Sequence, residues 1–331
     1  MSATPATAPS AGNDPLARRP FGRTGLLVPP IAVGCAPLGS MPEAFGYVVA
    51  EADALATIRA ALAGPLPYLD TAALYGDGAS ERRVGLVLRE HGGLPPGAIL
   101  QTKQGRDPKT NDYRGETVKR RMERSLKLLG VDHLHAVYLH DAEWTTFAAA
   151  MAPGGPVAVL RSYQEQGVFD YLGVASGPIE VELEYINTGQ FDAVITHNRY
   201  TLINRTAEPV VAAAHARGMA VLNAAPYGSG LLAKGPDAYP RYAYQTAKPA
   251  VIERTRQIQA ICDRHGVPLP AAALQFSLRD ERLCTTIVGM SSPERLAQTI
   301  ALARHPIPNA LWQELDALPT FTDNPEEGRW G

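Results

Sequence analysis

Ile99-Leu100-Gln101-Thr102-Lys103, a helical pattern over Glu116 to Leu129, and Leu134-His135-Ala136-Val137-Tyr138-Leu139-His140 form one unit whose reading decides the fold. The two ends are short apolar runs, whereas Val118, Met122, Leu126 and Leu129 between them recur at helical spacing. Two strands joined through a helix make a parallel crossover, because parallel strands cannot be linked by a tight turn. Working outward in both directions, the rhythm continues. Strand-like runs occupy Ile31 to Gly34, Leu66 to Asp70, Asp170 to Val174, Ala193 to Thr196, Ala220 to Asn223 and Cys284 to Val288. Helical patterns fill Ala52 to Ala63, Ser80 to Glu90, Ala207 to Arg217 and Pro293 to Leu302. Eight strands alternating with helices predict an α/β fold, a (β/α)8 TIM barrel. A doubly wound open sheet would carry G-x-G-x-x-G after an early strand, and Gly34-Cys35-Ala36-Pro37-Leu38-Gly39 does not match it.

The remaining segments fit around that barrel. Residues 1 to 18 are rich in Ala, Pro, Ser and Thr without an apolar period, which predicts a flexible N-terminal tail. Residues 19 to 331 are expected to form one domain. Phe21 to Val33 reads as a β-hairpin turning near Arg23-Thr24-Gly25. Residues 224 to 248 are too long for an ordinary connection, so a ligand-covering loop is expected at the C-terminal mouth. After Pro306 one more helical pattern leads into an irregular tail ending Arg329-Trp330-Gly331, expected to close over the mouth.

Composition narrows the functional classes. The chain has 331 residues, 31 Lys plus Arg against 33 Asp plus Glu, 45% apolar and 19% charged residues, so a large core is expected and a nucleic-acid or anionic-membrane surface is not. No run approaches a membrane span or a signal h-region, and Arg18-Arg19 lacks the apolar run of a twin-arginine signal. Cys35, Cys262 and Cys284 are odd in number and widely spaced, which fits neither a disulfide framework nor a zinc site. These features predict a reducing, cytoplasmic setting.

Strand parity then selects the chemistry. Leu66, Tyr68 and Asp70 share one face, as do Ile99, Gln101 and Lys103, and Ala136, Tyr138 and His140. Each set ends in an ionisable residue at the strand's C-terminal end, where barrel active sites lie. Asp70, Lys103 and His140 are therefore expected to converge, with Tyr75 returning over them from the loop after Asp70. A phenol ordinarily titrates near ~10, so it needs help at neutral pH. A neighbouring ammonium favours the phenolate, and Asp70 would orient that ammonium. Taken one residue at a time, an Asp70–Lys103 ion pair and a capped core histidine explain the same pattern without catalysis.

The sequence resembles the aldo-keto reductases, through Leu69-Asp70-Thr71-Ala72, Tyr75-Gly76, Ser80-Glu81, Leu100-Gln101-Thr102-Lys103 and Tyr138-Leu139-His140-Asp141. The resemblance implies a barrel that binds a nicotinamide dinucleotide, with Asp70, Tyr75, Lys103 and His140 as the catalytic tetrad. Leu74 to Glu81 and Thr196-His197-Asn198-Arg199-Tyr200-Thr201-Leu202 are similar to the sugar-oxidising branch of D-threo-aldose 1-dehydrogenases and L-fucose dehydrogenases.

The resemblance also implies cofactor contacts. Ser176 stands where many members hold the nicotinamide carboxamide, but Gly177 replaces the usual asparagine beside it. His197 replaces a usual glutamine, with Asn198 adjacent, and Ala224 stands where a stacking tyrosine is common, leaving Tyr227 to compensate. The pyrophosphate is expected along Gly228, Ser229, Gly230 and Leu231. Gly289, Met290, Ser291 and Arg295 match the adenosine-phosphate segment. Cys35 and Ala36 at the mouth, and Gln298 and Thr299 on the last barrel helix, complete the set. Gly289 replaces a lysine that some NADP-preferring members carry, so NAD is expected, with NADP possible through Arg295.

Other clusters have simpler readings. Asp132, His133 and His135 lie at the entering end of their strand with parity opposite to His140, so no metal site is expected there. Ser80 is expected to cap a helix with Glu81 in its first turn. Cys35 has no adjacent activating group and is expected to line the pocket, while Lys119, Arg120, Arg121, Arg124 and Lys127 read as a solvated helix face. Loops at Gly39 to Tyr47, Ala142 to Met151 and Gly235 to Tyr244 are expected to select the substrate. The expected function is oxidation of the anomeric C1 hydroxyl of an aldose, L-fucose or a related sugar, to a lactone. Competing expectations are an NADPH-dependent aldehyde reductase, a cofactor-sensing binding subunit and a metal-dependent barrel hydrolase. The partner is a small sugar or aldehyde, with no nucleic acid and no membrane.

Overall fold

A computed structural model describes residues 14–327. Among the described residues the strands in chain order are β1 Arg19–Pro20, β2 Leu27–Val28, β3 Ile31–Gly34, β4 Tyr68–Asp70, β5 Ile99–Gln104, β6 Leu134–His140, β7 Phe169–Ala175, β8 Ala193–His197, β9 Ala220–Ala224, β10 Arg241–Tyr242, β11 Gln245–Thr246 and β12 Thr285–Gly289. Strands β3 to β9 and β12 close into a parallel barrel in the order β12-β3-β4-β5-β6-β7-β8-β9, as the alternating pattern predicts. The helices predicted between them occupy Glu51–Ala63, Ala79–Glu90, Gly115–Leu129, Glu208–Ala216 and Pro293–Ala303.

Two apolar layers hold this architecture. The larger lies between strands and helices, where Val33, Leu69, Leu100, Val137, Leu139 and Val174 meet Ile58, Val84, Leu88 and Met122. Each such fully buried aliphatic side chain contributes roughly 1.5–3 kcal/mol. The smaller fills the barrel with Ala32, Tyr68, Ile99, Ala136, Tyr138, Ile195, Leu222 and Ile287. Gly173 is required opposite Tyr138, because a Cβ there would stand 2.3 Å from the Tyr138 ring.

The predicted hairpin closes the bottom. β1 pairs antiparallel with β2, and its Phe21 and Val28 join the interior layer, with Phe21 5.6 Å from the Tyr171 ring. Gly22 takes φ 57° where a Cβ would stand 2.5 Å from Ala220 N, so only glycine lets the turn seat there. Residues 1–13 of the expected tail lie outside the described residues. From there the chain rests on the barrel: Leu16 is buried, and Arg18 donates to the carbonyls of Leu27 and Gly97.

Register determines the height of each interior side chain. Asp70 pairs with Gln101 and Lys103 pairs with Tyr138, so Lys103 stands one interior position above Gln101 and His140 one above Tyr138. This stagger is inherent in a closed barrel. It lifts successive interior residues towards the C-terminal mouth.

Candidate active site

Asp70, Lys103 and His140 close the ends of three adjacent strands, and the turn after β4 brings Tyr75 back above them. That return depends on Gly39 and Gly76, whose backbones touch. A Cβ on Gly76 would meet Gly39 O at 2.2 Å, and one on Gly39 would meet Tyr75 C at 2.9 Å. Asp77 anchors the same turn to the neighbouring helix through Arg124, which donates to its carboxylate at 2.7 Å and its carbonyl at 2.6 Å.

The polar contacts are specific. Lys103 Nζ donates to Asp70 at 2.8 Å, to the Thr71 carbonyl at 2.9 Å and to Tyr75 Oη at 3.1 Å. Beneath them Gln101 Nε2 donates to Asp70 Oδ1 at 2.7 Å, while Gln101 Oε1 accepts from Tyr68 at 2.5 Å and Tyr138 at 3.1 Å. This chain fixes the carboxylate that fixes the lysine. The Tyr75 and His140 rings stand edge to face, 5.7 Å apart at 87°.

Burial, followed by the Asp70 carboxylate, pushes the Tyr75 phenol well above its ordinary value. The expected lysine-driven lowering is therefore outweighed, first by burial and then by the Asp70 charge. Burial and then the Lys103 charge hold His140 well below the ordinary imidazole value, so it is neutral. A neutral imidazole and a protonated phenol thus face one cavity.

That cavity encloses about 520 Å³ and runs from the four residues to the helix Pro293–Ala303. This is the size of ordinary small-molecule sites, about 300–1,000 Å³. Ala36, His197, Tyr227, Ser229, Gly230, Gly289, Ser291, Arg295, Gln298 and Thr299 line it, as the cofactor reading expects. Ser292 caps the helix at that end by accepting from Arg295 N, and Arg295 sits on the first turn. A capped helix N-terminus with an arginine suits a phosphate, and the small side chains Gly34, Ala36, Ala224 and Ala225 leave room for a flat ring, so the donor set fits a nicotinamide dinucleotide.

Six expected contacts lie off the wall. The Cys35 side chain is buried in the outer core, and burial drives its thiol pKa up. Ser176 is buried and its hydroxyl donates to Glu143 at 2.6 Å. Asn198 sits behind the wall, accepting from Ser229 at 3.3 Å. Gly228, Leu231 and Met290 are buried without lining the cavity.

Other expectations change in detail. Ser80 is no cap: Gly78 holds that position, and Ser80 Oγ instead donates to the Cys35 carbonyl at 2.9 Å. Glu81 does lie in the first helical turn, but buried, accepting from Thr102 at 2.7 Å and Ser125 at 3.0 Å. Arg121 is buried rather than solvated, 3.8 Å from Asp77, while Lys119, Arg120, Arg124 and Lys127 are exposed. His133 pairs with Asp170 at 3.0 Å and His135 accepts from Leu100 N at 3.3 Å. Among the described residues no group of three or more His, Cys, Asp or Glu is arranged to hold a metal, and no helix is long and apolar enough to cross a membrane.

Two of the three expected selectivity loops reach the cavity. Met41, Ala44, Phe45 and Tyr47 come from one, and Tyr239 and Tyr244 from another. They meet across the mouth, where Tyr239 donates to the Phe45 carbonyl at 3.2 Å and Lys234 stacks 4.3 Å from the Tyr239 ring. Residues 142–151 contribute no lining side chain: Glu143 turns inward to Ser176, and Trp144 stays exposed with Arg106 stacked 3.9 Å from its ring. Sequence reading missed Glu326, which is fully buried against His197 at 3.1 Å and Arg199 at 2.7 Å. The contact lies beside the mouth, where the tail was expected to fold. Residues 329–331 lie outside the described residues.

The Aldo/keto reductase family matches residues 30–319. A pyridoxal 4-dehydrogenase of Microbacterium luteolum is 29% identical, covering 90% of this chain and 96% of its own. A D-threo-aldose 1-dehydrogenase of Pseudomonas sp is 29% identical, over 88% of this chain and 94% of its own. The solved holo form of an aldo-keto reductase from Bacillus halodurans superposes with TM-score 0.72 at 22% identity, covering 91% of this chain and 95% of that one.

Proposed function

The chain belongs to the aldo/keto reductase family, and on that premise we propose that it oxidises the anomeric C1 hydroxyl of an aldose, L-fucose or a related sugar, to a lactone with NAD. Its activity is that of an NAD(P)-dependent oxidoreductase of this family. One observation carries the assignment of roles: the Lys103 ammonium spends its three N–H groups on Asp70, Thr71 and Tyr75 Oη. Because Tyr75 Oη accepts from Lys103, its own proton is left to exchange with a substrate oxygen.

A bound nicotinamide supplies the hydride chemistry. The chain's residues do the rest. Tyr75, as a phenolate stabilised by Lys103, takes the hydroxyl proton and becomes the phenol, Asp70 fixes Lys103, and neutral His140 orients the substrate oxygen. Ala36, Ser229, Gly230, Gly289 and Arg295 would hold the cofactor along the cavity wall.

The substrate class is supported by the named relatives. An aldose and pyridoxal can each close into a cyclic hemiacetal, whose ring carbon bears both a hydroxyl and a hydrogen. Loss of hydride from that carbon gives a lactone. Phe45, Leu74 and Tyr244 on the cavity wall offer apolar faces to such a ring. NAD preference is supported by Gly289, which brings no cation to a 2'-phosphate. A screen of free aldoses and pyridoxal with NAD and NADP, followed through the reduced cofactor's absorbance, tests this reading, and absence of turnover on every hemiacetal would end it.

One observation favours a second reading, NADPH-dependent reduction of an aldehyde or ketone. The Tyr75 phenol is held protonated, the form that donates to a carbonyl oxygen. Rapid carbonyl reduction without aldose oxidation would select it.

A further inference from the structure

Two positions that depart from the family pattern, Gly177 and His197, touch the same buried carboxylate. Glu326 Oε1 lies 3.1 Å from His197 Nε2, and Glu326 Oε2 accepts from Arg199 Nη1 at 2.7 Å. A Cβ on Gly177 would stand 2.8 Å from Glu326 Oε2 and 3.2 Å from Arg199 Nη1. A side chain at 177 would therefore push the end of Glu326 out of its present place. Burying a carboxylate is costly without partners, so His197 and Arg199 set where residue 326 goes.

Further bonds tie down the segment that carries Glu326. Asn204 Nδ2 donates to the Asp323 carbonyl at 2.7 Å, Arg199 Nη2 to Asn324 Oδ1 at 3.2 Å, and Lys248 to Asp323 at 3.2 Å. His197 itself lines the cavity. With Nε2 committed to Glu326, its ring is held in one orientation, and its Nδ1 makes no hydrogen bond among the described residues.

We propose that residues 323–327 form a latch in which Glu326 is a positioning residue: it holds the His197 imidazole so that Nδ1 meets the carboxamide of the nicotinamide cofactor. The inference rests on the cofactor reading above and adds to it a residue outside the barrel strands. Burial acts to lower the His197 pKa, but Glu326 outweighs it and the net shift is upward. A carboxamide offers both an acceptor and a donor to Nδ1. His197 pairs in register with Ala224, whose small side chain leaves space beside it on the wall.

The test measures the Kd of NAD by titration calorimetry, with a thermal melt to confirm folding. Glu326→Gln is expected to weaken NAD binding about tenfold, the scale of one oriented hydrogen bond to a charged group, with the loss in turnover falling on KM for NAD rather than on kcat. Gly177→Ala keeps Glu326 but displaces its carboxylate, so it should weaken binding similarly even if Glu326→Gln fails to fold. In a His197→Gln background, Glu326→Gln should add little, since a neutral amide needs no carboxylate behind it. Unchanged Kd in both single variants, or the same loss with and without His197, overturns the latch. If the unaltered chain binds neither NAD nor NADP, the cofactor reading itself fails and the latch fails with it.

Discussion

Lys103 Nζ stands 3.1 Å from Tyr75 Oη, close enough to donate to it, while the same nitrogen is held by the Asp70 carboxylate at 2.8 Å. The ammonium therefore stabilises phenolate once it forms, yet burial and then the Asp70 charge keep the resting group a phenol. Removing the phenol while keeping the ring isolates its role. Tyr75→Phe should fold and bind NAD normally but turn over at least about a hundredfold more slowly, the usual scale for a positioned acid-base group. Single-turnover kinetics would check this, and near-normal turnover by the folded variant would remove Tyr75 from the reaction.

The Asp70–Lys103 pair also carries stability, because both side chains are 3% exposed. Asp70→Ala leaves the ammonium buried without its counter-charge and should cost about 3–5 kcal/mol, measurable by urea unfolding. Adding Lys103→Met should recover part of that loss, since two apolar groups need no pairing. A double variant no more stable than Asp70→Ala would show that the pair is not the source.

The barrel was legible because its determinants are local. A strand of five residues alternates, a helix repeats at three and four, and Asp70, Lys103 and His140 each inherit their direction from that alternation. The proton balance was less legible, because the Tyr75 pKa depends on burial and on which charges share Lys103. Ser176 and Cys35 left the cavity for a different reason. Each continues the outward parity of its strand, two positions after Val174 and Val33 of the outer layer, so alternation pointed away from the wall and the resemblance alone had placed them there. Glu326 was invisible, since its partners lie 129 and 127 residues away and its segment has no periodicity to mark it as buried.

Gly289 offers a direct test of cofactor choice. A Cβ there would meet only Pro37 Cγ at 3.3 Å and Cδ at 3.7 Å, so a longer side chain needs little rearrangement. Gly289→Lys places a cation at the end of the cavity that Arg295 shares. It should raise kcat/KM for NADP by about tenfold relative to NAD, the equivalent of ~1.4 kcal/mol for one added charge contact. Paired kinetics with both cofactors would decide, and an unchanged ratio would place the 2'-phosphate elsewhere.

The pH dependence connects the geometry to direction and substrate. Oxidation needs the Tyr75 phenolate as base, and burial raises that group's pKa above its ordinary value of 10.0. Raising pH populates the phenolate, so the oxidation rate should climb about tenfold per pH unit and show no plateau below about pH 10. Reduction uses the phenol, which is already the resting form, so its rate should stay flat across the same range. His140 is neutral throughout, its pKa lying well below 6.5, and adds no acidic limb near neutrality. The substrate enters through the same proton. A free aldose has an anomeric hydroxyl to give up, whereas its methyl glycoside does not, so NAD-dependent oxidation should be seen with the first and nearly absent with the second. Initial rates with L-fucose and its methyl glycoside from pH 6 to 10 measure both effects together, ~6 to ~10 being the span between the imidazole and phenol titrations. Equal rates on the glycoside would exclude C1 as the site of hydride loss, and an oxidation rate independent of pH would exclude Tyr75 as its base.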